Sequence, residues 1–313
     1  MVKIYRNIDE LIGNTPMLEL LHYSLSEGLP RAILAKLEYF NPTGSVKDRA
    51  ALSMICDAEE RGLLKKGAVI IEPTSGNTGV GLAAVAAERG YRVVLTMPDT
   101  MSAERIALLA AYGAELVLTD GALGMRGAIE KASELAASIE GAFIPSQFDN
   151  PANALAHYKS TGPEIFRDTG GEIDIFVAGV GSGGTLSGTA RYLKECKPSV
   201  KIVAVEPSGS AVLSGGNAGP HGLMGIGAGF VPANYDASLV DEIVTVSDEE
   251  AYSAARALAR TEGILVGITS GAALFAATSL ARTDKYKFKS MVTLLPDTGE
   301  RYLSTPLFSR HPQ

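Results

Sequence analysis

Lys47 is the residue whose type and position most invite chemistry, within Asn41-Pro42-Thr43-Gly44-Ser45-Val46-Lys47-Asp48-Arg49. Asn41 to Gly44 reads as a tight turn, because proline presets one dihedral and glycine relieves the next. Ser45 then stands where a helix N-cap belongs, and Asp48 completes an S-x-x-D capping-box pattern. Ala50, Ala51, Met54, Ile55 and Ala58 follow at helical spacing. Lys47 therefore falls in the first turn, where the positive end of the helix dipole opposes a cation. That placement lowers the pKa of an amine and suits a lysine that must form a Schiff base. The plain alternative is a solvated lysine in a Lys-Asp-Arg cluster.

Glu72-Pro73-Thr74-Ser75-Gly76-Asn77-Thr78-Gly79 follows a strand pattern and opens a helix. One hydroxyl is enough to cap a helix. Thr74, Ser75, Asn77 and Thr78 together make a donor array suited to a carboxylate at a helix N-terminus. Gly179-Val180-Gly181-Ser182-Gly183-Gly184-Thr185 occupies a second such junction, where two readings stay open. Gly179, Gly181 and Gly184 satisfy G-x-G-x-x-G, and Glu206 ends the next strand pattern 22 residues after Gly184, as in a dinucleotide site. Gly183 and Thr185 also fit a cup for a single phosphate. In Gly267-Ile268-Thr269-Ser270-Gly271-Ala272, Ser270 is a candidate site hydroxyl or only a helix cap. The glycine-rich stretch 225–230 is either a mobile wall or a simple connection.

The scaffold for these loops is legible as a rhythm. Apolar strand patterns recur at 17–20, 32–38, 69–72, 92–97, 114–119, 142–146, 173–178, 201–206, 243–246 and 291–295. Helical patterns fill 81–88, 102–111, 123–139, 185–195 and 248–261. Near-continuous apolar strands alternating with helices imply buried, open parallel sheets covered on both faces, an α/β fold. The polar, turn-like stretch 148–151 marks a boundary between two α/β halves, 1–149 and 150–313. Ligands of such sheets sit at the carboxyl ends of strands, where the loops above lie.

Composition narrows the classes. The 313 residues are 46% hydrophobic, enough for a large core. A net charge of -7 without basic runs argues against a nucleic-acid partner. No run of about 20 apolar residues suggests a membrane span. Cys56 and Cys196 lack metal spacing and read as buried thiols, and His22, His157, His221 and His311 occur singly, so no metal site is expected. The first six residues carry no signal-peptide pattern, which makes the cytoplasm the expected setting.

Taken together, from Ile12-Gly13-Asn14-Thr15-Pro16 to Gly299-Glu300-Arg301-Tyr302-Leu303-Ser304-Thr305, the chain resembles the cysteine synthase (O-acetylserine sulfhydrylase) family of pyridoxal-phosphate enzymes. Ser45 to Arg49 and Pro73 to Gly79 carry the resemblance most specifically. It implies the fold-type II architecture (tryptophan synthase β-like), with the segment near 13–35 crossing to the C-terminal domain. It implies that Lys47 bonds the pyridoxal phosphate, that Asn77 meets its ring oxygen and that Ser270 faces its pyridine nitrogen. Gly181, Ser182, Gly183, Gly184 and Thr185 would hold its phosphate, displacing the dinucleotide reading. Thr74, Ser75, Asn77, Thr78 and Gln147 would hold the substrate carboxylate. The implied reaction makes L-cysteine from O-acetyl-L-serine and sulfide with release of acetate. The implied partners are a second copy of the chain and the C-terminal tail of a serine acetyltransferase. Cystathionine β-synthase activity on serine and homocysteine is the near alternative, and a nicotinamide-dependent dehydrogenase the distant one. O-phosphoserine remains open as a donor, although no arginine stands in the matched substrate loops.

Overall fold

The computed structural model describes residues 4–309, which leaves His311 and the first three residues of the N-terminal stretch outside. The chain begins with β1 (Met17–Leu20), α1 (Leu21–Ser26), β2 (Ile33–Leu37) and α2 (Lys47–Glu60). Next come β3 (Val69–Pro73), α3 (Asn77–Arg89), β4 (Arg92–Pro98), α4 (Ala103–Ala111), β5 (Glu115–Thr119) and α5 (Gly124–Ser138). Then α6 (Pro151–Lys159) and α7 (Thr161–Asp168) lead into β6 (Ile175–Gly179), α8 (Gly184–Cys196) and β7 (Lys201–Pro207). The last elements are β8 (Glu242–Val246), α9 (Asp248–Glu262), α10 (Ile268–Ala281) and β9 (Met291–Leu295).

Two sheets result, as the alternation implies. The larger runs β1-β2-β9-β6-β7-β8 and is parallel except for β1, which pairs antiparallel with β2 at one edge. The smaller runs β3-β4-β5, all parallel. Residues 17–37 thus belong to the larger sheet although the smaller one follows them directly in the chain. The buried strands β3, β4, β6, β7 and β9 feed both faces by simple alternation. In β6, Ile175 and Val177 join a core with α9 and α10, while Phe176 and Ala178 join a second core with α8. In the smaller sheet, Ile70, Val93 and Leu95 pack on α2 and α3, whereas Val69, Ile71 and Val94 pack on α5. Strands buried on both faces must be apolar at every position, which explains their unbroken apolar patterns.

Three expectations need correction. The 142–146 stretch forms only a bridge, with Phe143 beside Ile70. Pro145 lacks an N–H for a ladder, and Ser146 has φ +55°, a left-handed turn that ends extended structure. The capping box at Ser45 does not form either. Val46 is the N-cap of α2, and the Asp48 carboxyl turns back to accept from the Thr43 N–H (2.8 Å) and hydroxyl. Finally, Cys196 ends α8 in solvent rather than in the core, while Cys56 is half-buried.

Candidate active site

The carboxyl ends of β3, β6 and β9 and the start of α2 meet around one cavity of about 290 Å3. That is close to the lower end of the usual range for small-molecule sites, about 300–1,000 Å3. Its wall includes Lys47, Thr74, Ser75, Asn77, Thr78, Gln147, Gly181, Ser182, Gly183 and Thr185. Ten of the twelve residues singled out in the sequence therefore line one space. Gly184 and Ser270 stand just behind the wall, both buried.

Lys47 is the first residue of α2, and the main chain ahead of it is pinned to the end of β9. The Val46 N–H donates to Pro296 O at 2.8 Å, and Ser45 bridges to Asp297. The Lys47 side chain projects into the cavity, where its Nζ has no hydrogen-bond or ion-pair partner among the described residues. Enclosure pushes the amine pKa down, against the raising pull of the Asp297 carboxylate. Two residues on, Arg49 fixes the helix by gripping both Glu38 and Glu164 in a buried network that Lys36 joins through Glu164.

The donor-rich loop is held from beneath. Glu72, buried at the end of β3, accepts from Ser146 N (2.9 Å) and Gln147 N (3.2 Å). These bonds set the left-handed turn that presents Gln147, whose Oε1 accepts from Thr78 Oγ1 at 2.6 Å. Burial without a cation raises the Glu72 carboxyl to about 7. Asn153 Nδ2 ties Gln147 O (2.7 Å) to Ser182 Oγ (2.8 Å), so the two loops share one anchor.

Helix α8 begins at that anchor with no side-chain cap, so the N–H groups of its first turn are left for a ligand. The glycines here serve the protein's own packing. A Cβ on Gly183, at φ +86°, would lie 2.7 Å from Tyr235 N, and one on Gly181 would lie 2.3 Å from Gly225 O. Close backbone approach, expected for a phosphate, is thus also required by the chain itself. Thr185 Oγ1 lies 3.2 Å from His157 Nε2, and burial lowers the His157 pKa to about 3, leaving a neutral ring.

A polar chain closes the opposite side. Asn77 Nδ2 donates to Asp297 Oδ2 at 2.7 Å, and Tyr302 OH donates to the same oxygen at 2.6 Å. Arg301 reaches Asn77 Oδ1 and Thr43 O. Asp297 Oδ1 is buried with no hydrogen-bond partner among the described residues, and burial raises the carboxyl pKa. Ser270 does not cap α10; its Oγ donates to Asp297 O at 3.4 Å. Sequence reasoning passed over His157, Asp297, Tyr302, Arg301 and Arg105. Arg301 and Tyr302 stood in a segment that carried the resemblance, but nothing in their spacing aimed them here.

Chemically, a desolvated amine and an uncapped helix N-terminus in one cavity suit a small aldehyde bearing a phosphate. A dinucleotide fits less well, because the Glu206 carboxylate is already filled by Leu213 N (2.7 Å), Ser214 N (3.0 Å) and the Ser214 hydroxyl.

The family model described as pyridoxal-phosphate dependent enzyme matches residues 8–297. The chain is 54% identical over 312 residues to a probable cysteine synthase of Bacillus subtilis (strain 168), covering 99% of each. It superposes on the crystal structure of a cysteine synthase (OASS) from Entamoeba histolytica with TM-score 0.95 at 46% identity, covering 99% of this chain and 93% of that one. An O-acetylserine dependent cystathionine beta-synthase from Helicobacter pylori matches with TM-score 0.91 at 41% identity, covering 98% of this chain and 100% of that one.

Proposed function

The chain belongs to the family of pyridoxal-phosphate-dependent enzymes, and we propose that it makes L-cysteine from O-acetyl-L-serine and sulfide, releasing acetate. One observation carries this reading. A partnerless, desolvated amine, an uncapped helix N-terminus and a donor-rich loop meet in a single cavity. The first two fit the aldehyde and the phosphate of pyridoxal phosphate. When bound, that cofactor supplies an electron sink for charge developing at the substrate α-carbon.

The residues divide the remaining work. Gly181, Ser182, Gly183, Gly184 and Thr185 hold the phosphate at the start of α8. Asn77 and Ser270 are assigned to the ring. Thr74, Ser75, Asn77 and Thr78 hold the substrate carboxylate with Gln147, which Glu72 and Asn153 keep in place. Lys47 takes the α-proton as general base, since desolvation favours its neutral, proton-accepting form. Acetate departs from the β-carbon with its electron pair, sulfide adds there, and Lys47 returns the proton to the α-carbon. A division near residue 149, with 13–35 in the C-terminal unit, is supported by β1 and β2 lying in the larger sheet. No helix among the described residues is long and apolar enough to cross a membrane. A cytoplasmic homodimer that receives a serine acetyltransferase tail completes the proposal.

Homocysteine in place of sulfide is the second reading, favoured by the likeness to the Helicobacter pylori enzyme. Steady-state turnover separates the two. O-acetyl-L-serine with sulfide should give cysteine and acetate faster than either donor, acetylserine or serine, gives cystathionine with homocysteine. Faster cystathionine formation overturns the choice.

A further inference from the structure

Arg105 belongs to neither loop matched in the sequence, yet it lines the catalytic cavity beside Lys47. It also lines a neighbouring cavity of about 700 Å3 that shares Ser75, Gly76 and Asn77 with the first. Its guanidinium thus stands where the two spaces adjoin. It is the third residue of α4, behind the N-cap Ser102, where the helix dipole opposes a cation. Among the described residues the side chain finds no carboxylate in compensation. It lies over the Tyr302 ring, 5.8 Å from the centroid, and its Nη2 is 3.5 Å from Met224 Sδ. Glu104 and Glu300 line the neighbouring cavity too, but both are exposed and neither is ion-paired with Arg105. Among the described residues, Lys47 and Arg105 are the cations lining the catalytic cavity itself, while Arg301 lines the neighbouring one and is engaged by Asn77 and Thr43; Lys47 is committed to the cofactor. A half-buried cation free of acidic partners attracts small anions into a cleft.

We infer that Arg105 is a specificity-determining residue that selects anionic sulfur nucleophiles at the mouth of the cavity. The inference rests on the proposed β-replacement and deepens it. A thiolate forms the new C–S bond at the β-carbon, the bond between the β-carbon and the ester oxygen breaks, and acetate carries away the electron pair. The acceptor class is hydrosulfide and small thiols bearing a further negative charge.

The test uses the holoenzyme with O-acetyl-L-serine and two thiols of similar size, mercaptoacetate and neutral 2-mercaptoethanol. The readout is the ratio of their kcat/KM values. Arg105→Gln and Arg105→Met should lower that ratio about tenfold, and Arg105→Lys should restore most of it. Raising salt from about 20 to about 500 mM should lower it in the wild type and not in Arg105→Gln. Arg105→Met keeps the apolar stem against Met224 and Tyr302, so a wild-type ratio in that variant means a packing latch and overturns the inference. An equal ratio in all four proteins overturns it as well. Failure of the wild type to use either thiol while it turns over sulfide overturns the inference, whereas failure with sulfide as well defeats the β-replacement reading itself, a distinct result.

Discussion

Replacing Arg49 by methionine removes the cation at the centre of the buried network and leaves its shape largely filled. Arg49 donates to Glu164 through Nη1 (2.6 Å) and Nη2 (2.7 Å), and to Glu38 through Nε (2.8 Å) and Nη2 (2.9 Å). Burial alone would raise the Glu164 carboxyl, but Arg49 and then Lys36 override it and hold the group down at about 2. Against its ordinary 4.5, that depression corresponds to about 3 kcal/mol of stability. Glu38 is depressed by the same guanidinium. Breaking a buried pair from one side costs about 3–5 kcal/mol, in agreement. For 313 residues, an unfolding entropy of about 2.1 cal/mol/K per residue turns that loss into a fall in Tm of about 5–8 °C. The pH dependence carries a sign. In the wild type the Glu164 contribution is complete above 4.5 and is lost as pH falls towards 2. In the variant Glu38 is stranded and Glu164 keeps only Lys36, so both carboxyls are protonated more readily and the deficit should shrink between pH 7 and about 4. Thermal melts of both proteins across that range are the assay. A deficit under about 1 kcal/mol, or one independent of pH, refutes the argument.

Lys47→Ala should yield a colourless protein whose Tm equals or exceeds that of the cofactor-free wild type, because the enclosed amine has no partner to lose; scanning calorimetry of both apo forms decides this. Gly183→Ala should destabilise the fold itself by about 2–4 kcal/mol, through left-handed strain and the clash with Tyr235 N, visible as a lowered denaturant midpoint even without cofactor. Glu72, raised to about 7, should make wild-type stability fall as pH rises from 4.5 to 7, and Glu72→Gln should flatten that slope in pH-dependent melts.

What the sequence disclosed and what it hid follow from distance along the chain. Thr74 to Thr78 and Gly181 to Thr185 were legible because a strand-to-helix turn places neighbouring residues at one ligand. Both sheets were legible because strands buried on two faces are apolar throughout. Asp297, Arg301 and Arg105 were not, since they reach the site from elements whose arrangement no local pattern reports. The Arg49 network was hidden for the same reason: Lys36, Glu38, Arg49 and Glu164 look like ordinary surface charges until packing buries them together. Ser45 misled because its S-x-x-D pattern was complete, yet Thr43 offered Asp48 two donors and won.

The most direct measurement is chemical mapping of the cofactor attachment. The yellow protein is reduced with borohydride, digested and sequenced by mass spectrometry. One pyridoxyl-modified peptide is expected, with the added mass on Lys47. Modification of another lysine, or a reduced protein that carries no such mass, would contradict it.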